Sequence, residues 1–134
     1  MKYLIVAFLV SNMMWSQDLS SHLWNERVIV IYADEGHSKQ ADLQFNKLIA
    51  EQEKLVERKL VIYKCVSGQC EFYNGLSSKK LLQLNQSIEG FSAVLIGLDG
   101  GKKYKTKAVV EPSAFFSLID QMPMRRQELR DKDK

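Results

Sequence analysis

The chain has 134 residues, enough for one domain and not comfortably for two. Hydrophobic residues make up 46% and charged residues 26%, the balance of a globular protein that buries one core. The formal net charge is +3, with the charges mixed along the chain and no long basic run, which argues against nucleic acid as a partner.

The chain opens "MKYLIVAFLVSNMMWSQ". Lys2 supplies a positive start, Tyr3 to Val10 form an apolar run, and no further charge follows until Asp18. The apolar run is too short to span a bilayer, and the pattern is that of a secretory signal peptide over residues 1–16, cut near Ser16–Gln17. Met14 is larger than the residue usual two places before a cut. The expected location is therefore secreted or periplasmic. No second long apolar segment follows, so no stable membrane insertion is expected after cleavage, and no cysteine follows the leader to carry a lipid.

"VIVIYA" (28–33) is a continuous β-branched run and reads as a strand buried on both faces. "DEGHS" breaks it, and Ser38 is placed to cap a helix. From Lys39 to about Lys54, Ala41, Phe45, Leu48 and Ile49 recur at helical spacing. "LVIYKC" (60–65) is a second strand, and "VSGQCEFYNG" reads as a loop or a short excursion. A short helix is expected over Lys79–Gln86, capped by Ser77 or Ser78, with Leu81, Leu82 and Leu84 facing inward. "FSAVLIGL" (91–98) is the third buried strand. "DGG" signals a tight turn into an alternating strand up to Ala108, hence a hairpin. Pro112 opens a last helix in which Phe115, Leu118, Ile119 and Met122 share a face, and Pro123 stops or kinks it. Residues 125–134 read as a charged, fraying tail.

The order β-α-β-α-β-β-α, with a mixed sheet of about four strands and helices on both faces, is that of the thioredoxin fold, and other α/β sandwiches share the same count. The expected domain spans residues 17–124. Thiol chemistry on that fold needs a cysteine where the first helix begins, and "ADEGHS" has none. The two cysteines, Cys65 and Cys70, stand just after the second strand with four residues between them, Gly68 among these to allow a turn. In an oxidising compartment they read as a structural disulfide or as two unpaired thiols. His22 and His37 are too far from the cysteines in sequence for a zinc pattern, and "GLDGG" lacks the lysine and spacing of a phosphate loop, so no metal and no cofactor is expected. Arg125 and Arg126 offer guanidinium groups that would either hold an anion bidentately or pair with an acid such as Glu128 or Asp120 and fix the C-terminal segment on the domain. Met122 and Met124 read as filling a core edge.

Four stretches together resemble one family. "IDQMPMRRQE" (119–128) resembles the C-terminal signature of the DUF4174 family, a domain of unknown function. "LWNERVIVIYA" resembles its opening, with Trp24 and Arg27 ahead of the first strand. "VERKLVIYK" resembles its middle strand, with Arg58 just before it. "FSAVLIGLDGGKK" resembles its third strand and turn, although Leu98 stands before Asp99 where a lysine is usual. The resemblance implies a thioredoxin-like or peroxiredoxin-like domain, with relatives among short exported bacterial proteins and among domains of extracellular sushi-repeat and matrix-associated proteins. It implies no known reaction.

Three functions stay open. The favoured one is an exported non-catalytic binding or interaction module, with an unidentified protein or small molecule as partner and Trp24, Arg27, Asp99, Arg125 and Arg126 as candidate binding residues. The second is a thiol-dependent oxidoreductase or peroxiredoxin-like enzyme using Cys65 and Cys70. The third is a small-anion binding protein using Arg27, Arg125 and Arg126.

Overall fold

A computed structural model describes residues 25–75, 78–81 and 89–132. The segment expected to be a signal peptide and Trp24 lie outside the described residues.

The elements are β1 (Arg27–Ala33), a 3-10 turn (Glu35–His37), α1 (Ser38–Ile49), α2 (Gln52–Glu57), β2 (Leu60–Val66), β3 (Gln69–Tyr73), β4 (Ser78–Leu81), β5 (Phe91–Ile96), β6 (Lys102–Thr106), α3 (Pro112–Asp120) and α4 (Pro123–Lys132). The fold is mixed α/β. Its described strands form one sheet in the order β4-β3-β2-β1-β5-β6. β1 runs parallel to β2 and antiparallel to β5, and β5 and β6 are antiparallel. A parallel first pair is the default for strands joined through helices, and the final hairpin is the one the sequence predicts.

The three apolar runs become the three central strands, each with a hydrogen-bonded neighbour on both sides. The helices expected on both faces are, among the described residues, packed on one. Alternation along each strand then divides the core. Ile29, Ile31, Leu60, Ile62, Phe91, Ala93 and Leu95 point to one face. There they meet Ala41, Phe45 and Leu48 of α1, Leu55 of α2, and Phe115, Phe116 and Ile119 of α3. Val28, Val30, Val61, Tyr63, Cys65 and Cys70 form a second buried cluster on the other face, to which no described helix contributes.

Several expectations are corrected. The sheet has six described strands, not about four, because β3 and β4 extend it beyond β2. "VSGQCEFYNG" is therefore a hairpin rather than a loop. Its turn residues, Ser67 and Gly68, have φ of 50° and 85°, the two positive values that a two-residue turn of the favoured hand requires. That hairpin sets Cys65 opposite Cys70 and joins them, with Cα atoms 4.0 Å apart. Residues 78–81 are a strand, not the start of a helix, and 82–86 lie outside the described residues. The helix expected over Lys39–Lys54 is two helices, separated where Glu51 leaves helical geometry at φ −105°, ψ 43°. Ser38 is the first residue of α1 rather than its cap. Residues Pro123 to Lys132 form α4 instead of a fraying tail. Proline ends α3 and, tolerated at a first helical position, also starts α4. Among the described residues, no helix is long and apolar enough to cross a membrane.

One buried polar side chain was not legible in the sequence. Gln44 of α1 is fully buried. Its amide donates to the Val110 carbonyl at 3.0 Å and its oxygen accepts from Val110 N–H at 2.9 Å, pinning the segment before α3 to α1. Both halves of the amide are satisfied, which is the condition for burying it cheaply.

Candidate functional site

Three arginines meet where the N-terminal end of β1 lies against the α2–β2 junction and the α3–α4 corner. Arg27 begins β1, and its backbone N–H donates to the Lys59 carbonyl at 2.7 Å. Lys59 closes α2 in the left-handed region, at φ 52°, so the chain turns back into β2 immediately beside Arg27. Arg58, the residue before, carries its guanidinium 4.8 Å over the Phe116 ring and forks onto Asp120 through Nε at 3.0 Å and Nη2 at 2.9 Å. Asp120 is the last residue of α3.

Arg125 sits in the first turn of α4 and is 3% exposed. Its Nε donates to Asp120 Oδ1 at 3.2 Å, Nη1 to the Glu57 carbonyl at 3.1 Å, and Nη2 to Glu57 Oε1 at 3.0 Å. A longer contact, 3.5 Å, reaches Glu128 Oε2. Glu128 in turn accepts from Arg27, from Nη1 at 3.3 Å and from Nη2 at 3.2 Å. Arg27 is fully buried and also donates from Nη1 to the Arg58 carbonyl at 2.7 Å. Its Nε is buried with no hydrogen-bond partner among the described residues. A buried donor left unpaired carries a desolvation penalty of about 1–3 kcal/mol, and native proteins hold few of them.

The cluster thus holds three guanidinium groups, Arg27, Arg58 and Arg125, against three carboxylates, Glu57, Asp120 and Glu128. Burial alone would raise the Asp120 carboxyl, but the hydrogen bonds from Arg58 and Arg125 outweigh it and hold the group below the usual carboxylate range. Burial likewise pulls Arg125 down, and its bonds to Asp120 and Glu57 more than reverse that.

A groove of about 540 Å³ opens beside the cluster. Arg27, Leu98, Asp99, Leu118, Met122 and Met124 are among its lining residues. Asp99, in the β5–β6 turn, accepts from Gly101 N–H at 2.9 Å and pairs with Lys103 Nζ at 2.9 Å. The Lys103 ammonium and then the Gly101 N–H keep its carboxyl below the ordinary value. Leu98 is buried in the groove wall, and Met124 is 42% exposed.

The candidate residues therefore separate. Arg27 and Arg125 come together through Glu128, Asp99 joins Arg27 across the groove, and Trp24 lies outside the described residues. Arg126 is exposed, and its side chain makes no hydrogen bond or ion pair with a described residue. The three arginines named for an anion site do not converge as free cations. Glu128 and Asp120, the two acids that sequence reasoning offered as structural partners, both bind Arg125. Arg58 was noted only as part of a motif. Its role in the cluster could have been suspected from its place one residue before the strand break at Lys59.

Elsewhere, the loop between β1 and α1 carries a hydrogen bond between His37 Nδ1 and Asp34 Oδ1, 2.5 Å long. Gly90 N–H donates to Asp34 Oδ2 at 2.7 Å, and this bond, followed by the His37 contact, lowers the Asp34 carboxyl. The disulfide lies beside Tyr32, five residues along β1 from Arg27 and so roughly 16 Å away. Among the described residues there is no group of three or more His, Cys, Asp or Glu placed to hold a metal.

Asp34, Asp99 and Asp120 all have folded values below their unfolded ones, so the unfolded chain takes up protons first. Their contribution is complete above about pH 4, the unfolded carboxylate value, and is lost as pH falls through the folded values. Denaturant midpoints should drop steadily below that pH, and Asp120→Asn should flatten part of the drop. Parallel acid limbs for the two proteins would remove Asp120 from the account.

No curated protein and no solved structure matches the chain. A family model does match, over residues 18–128, which takes in every element from β1 through the first half of α4. The chain belongs to the family described as a domain of unknown function, DUF4174.

Proposed function

We propose that this protein is an exported, non-catalytic, thioredoxin-like domain that binds a ligand or partner, with the groove beside Arg27 as its binding face. The observation that carries the reading is the position of the cysteines. They are bonded to each other in the β2–β3 hairpin, 4% and 5% exposed, while the start of α1 is occupied by the Asp34–His37 pair. A thiol enzyme needs an accessible thiolate at a site that lowers its pKa. A buried cross-strand disulfide instead staples a hairpin, and one closing so small a loop contributes roughly 2 kcal/mol. The disulfide also favours an oxidising compartment, in keeping with export. The thioredoxin-like part of the reading is supported by strand order and direction: with β3 and β4 set aside, β2-β1-β5-β6 is a parallel pair joined through helices, then an antiparallel hairpin, with a helix after it.

The test is thiol labelling of the purified, unreduced protein together with a Cys65→Ala/Cys70→Ala variant. The expected result is no labelling without reductant, and a folded variant roughly 2 kcal/mol less stable. A fast-labelling thiol in the native protein would move the reading to a thiol-dependent enzyme. Export is checked separately by mass spectrometry of the protein from its native cell, where a mature chain that starts near Gln17 is expected and one that retains Met1 overturns it.

A further inference from the structure

We infer that the groove beside Arg27 takes an apolar ligand that presents one neutral acceptor, a carbonyl oxygen, to Arg27 Nε. The inference rests on the binding reading above and names the ligand class for that site.

Size and lining come first. About 540 Å³ is the volume of a small-molecule site, and Leu98, Leu118, Met122, Pro123 and Met124 give it apolar walls. Methionine is unbranched and flexible, so a wall containing two of them can reshape around a guest. Leu98 contributes to the same wall without adding a charge.

The polar requirement comes from Arg27. Its two terminal nitrogens are taken by the Arg58 carbonyl and by Glu128, and Nε has no acceptor among the described residues. Arg27 lines the groove and its Nε is buried, so a guest reaches Nε only if a side chain of the wall moves. Met122 and Met124 are the ones able to move most freely.

The charge of the guest follows from the count already made. Three guanidinium groups face three carboxylates, and Asp99 and Lys103 close as a separate pair at the groove. The cations that line the groove, Arg27 and Lys103, are both already paired, so an anion entering this apolar cleft would bring a charge that no lining cation is free to compensate. A carbonyl oxygen satisfies the N–H and adds no charge. A single buried water would satisfy the same N–H, so the experiment separates water from ligand.

The experiment is a pair of titrations of the full mature chain, labelled with nitrogen-15, followed by NMR. The probes are hexanamide and hexanoate, which share a chain and differ in acceptor charge. The signals followed are the backbone amides of Leu98, Met122 and Met124 and the Arg27 Nε–H itself. Hexanamide is expected to move all four along one saturable curve and to bind roughly five- to tenfold more tightly than hexanoate, whose carboxylate would carry an uncompensated charge into the apolar cleft. Met124→Glu, an exposed position on α4, should weaken hexanamide by at least about fivefold while the rest of the spectrum shows a folded protein. Hexanoate binding the more tightly at these residues would overturn the neutral-acceptor inference and leave the binding face standing. An Nε–H that stays protected from exchange and unmoved by either probe would mean a resident water, and would overturn the inference. Shifts by either probe confined to residues outside the groove would overturn both the inference and the binding face.

Discussion

Arg125→Ala is expected to lower the stability of the protein by about 3 kcal/mol, the lower end of the cost of breaking a buried ion pair by removing one partner. The same substitution one residue later, Arg126→Ala, is expected to stay within about 0.5 kcal/mol, as for a surface change. Adjacent arginines in a helix point about 100° apart, so one can be buried while its neighbour is exposed. Arg125 is the buried one, and four acceptors surround it: Asp120, Glu128, and the carbonyl and carboxylate of Glu57. Removing it leaves Asp120 with Arg58 alone and leaves the Glu57 carbonyl without that donor. The cost stays below that of a fully enclosed pair because the Glu57 and Asp120 side chains remain 41% and 37% exposed, so water takes over part of their solvation. Arg125→Lys keeps the charge but loses the planar fork, and should recover less than half of the loss. Denaturant midpoints of the three variants check this. Equal midpoints for Arg125→Ala and Arg126→Ala would mean that α4 is not held by Arg125.

The parts of the fold that were legible in the sequence are those held by apolar burial. β1, β2 and β5 are continuous β-branched or aliphatic runs, and α1 and α3 repeat apolar residues at helical spacing. Their positions follow from the hydrophobic pattern alone. The parts that were missed are held by other forces. β3 mixes Cys70, Glu71 and Phe72, and its pairing depends on the conformations of Ser67 and Gly68 and on the disulfide rather than on alternation. β4, "SKKL", has one apolar residue and takes strand form by pairing with β3. α4 is the sharpest case. Its residues "PMRRQELRDK" carry no apolar stripe, and the side chain that anchors it is an arginine. A hydropathy pattern scores that arginine as solvent-facing, so the helix reads as a tail. The family signature marked the right segment without saying which residue in it matters. Geometry makes Arg125 the anchor, and to the Asp120 and Glu128 that the sequence offered it adds Glu57 and the pairing of Arg58 as the surroundings that let a guanidinium be buried.

Replacing Arg27 should have the largest effect of any single change in the cluster, about 3–5 kcal/mol for Arg27→Ala. Arg27 is fully buried, and its removal takes the donor from the Arg58 carbonyl and the bidentate partner from Glu128. Glu128 would keep only the 3.5 Å contact to Arg125, too long to balance a carboxylate that is 19% exposed. Shape and charge are separable here. Arg27→Met fills most of the vacated volume, so it should cost less than alanine while still leaving Glu128 without its main partner. Adding Glu128→Gln to Arg27→Met removes that stranded charge and should return part of the loss, because a buried pair costs most when only half of it is deleted. The double-mutant cycle should therefore show a coupling of about 1–3 kcal/mol between positions 27 and 128. Additive losses would show that Glu128 does not depend on Arg27, and that Arg27 is kept in place by the Arg58 carbonyl and by packing alone.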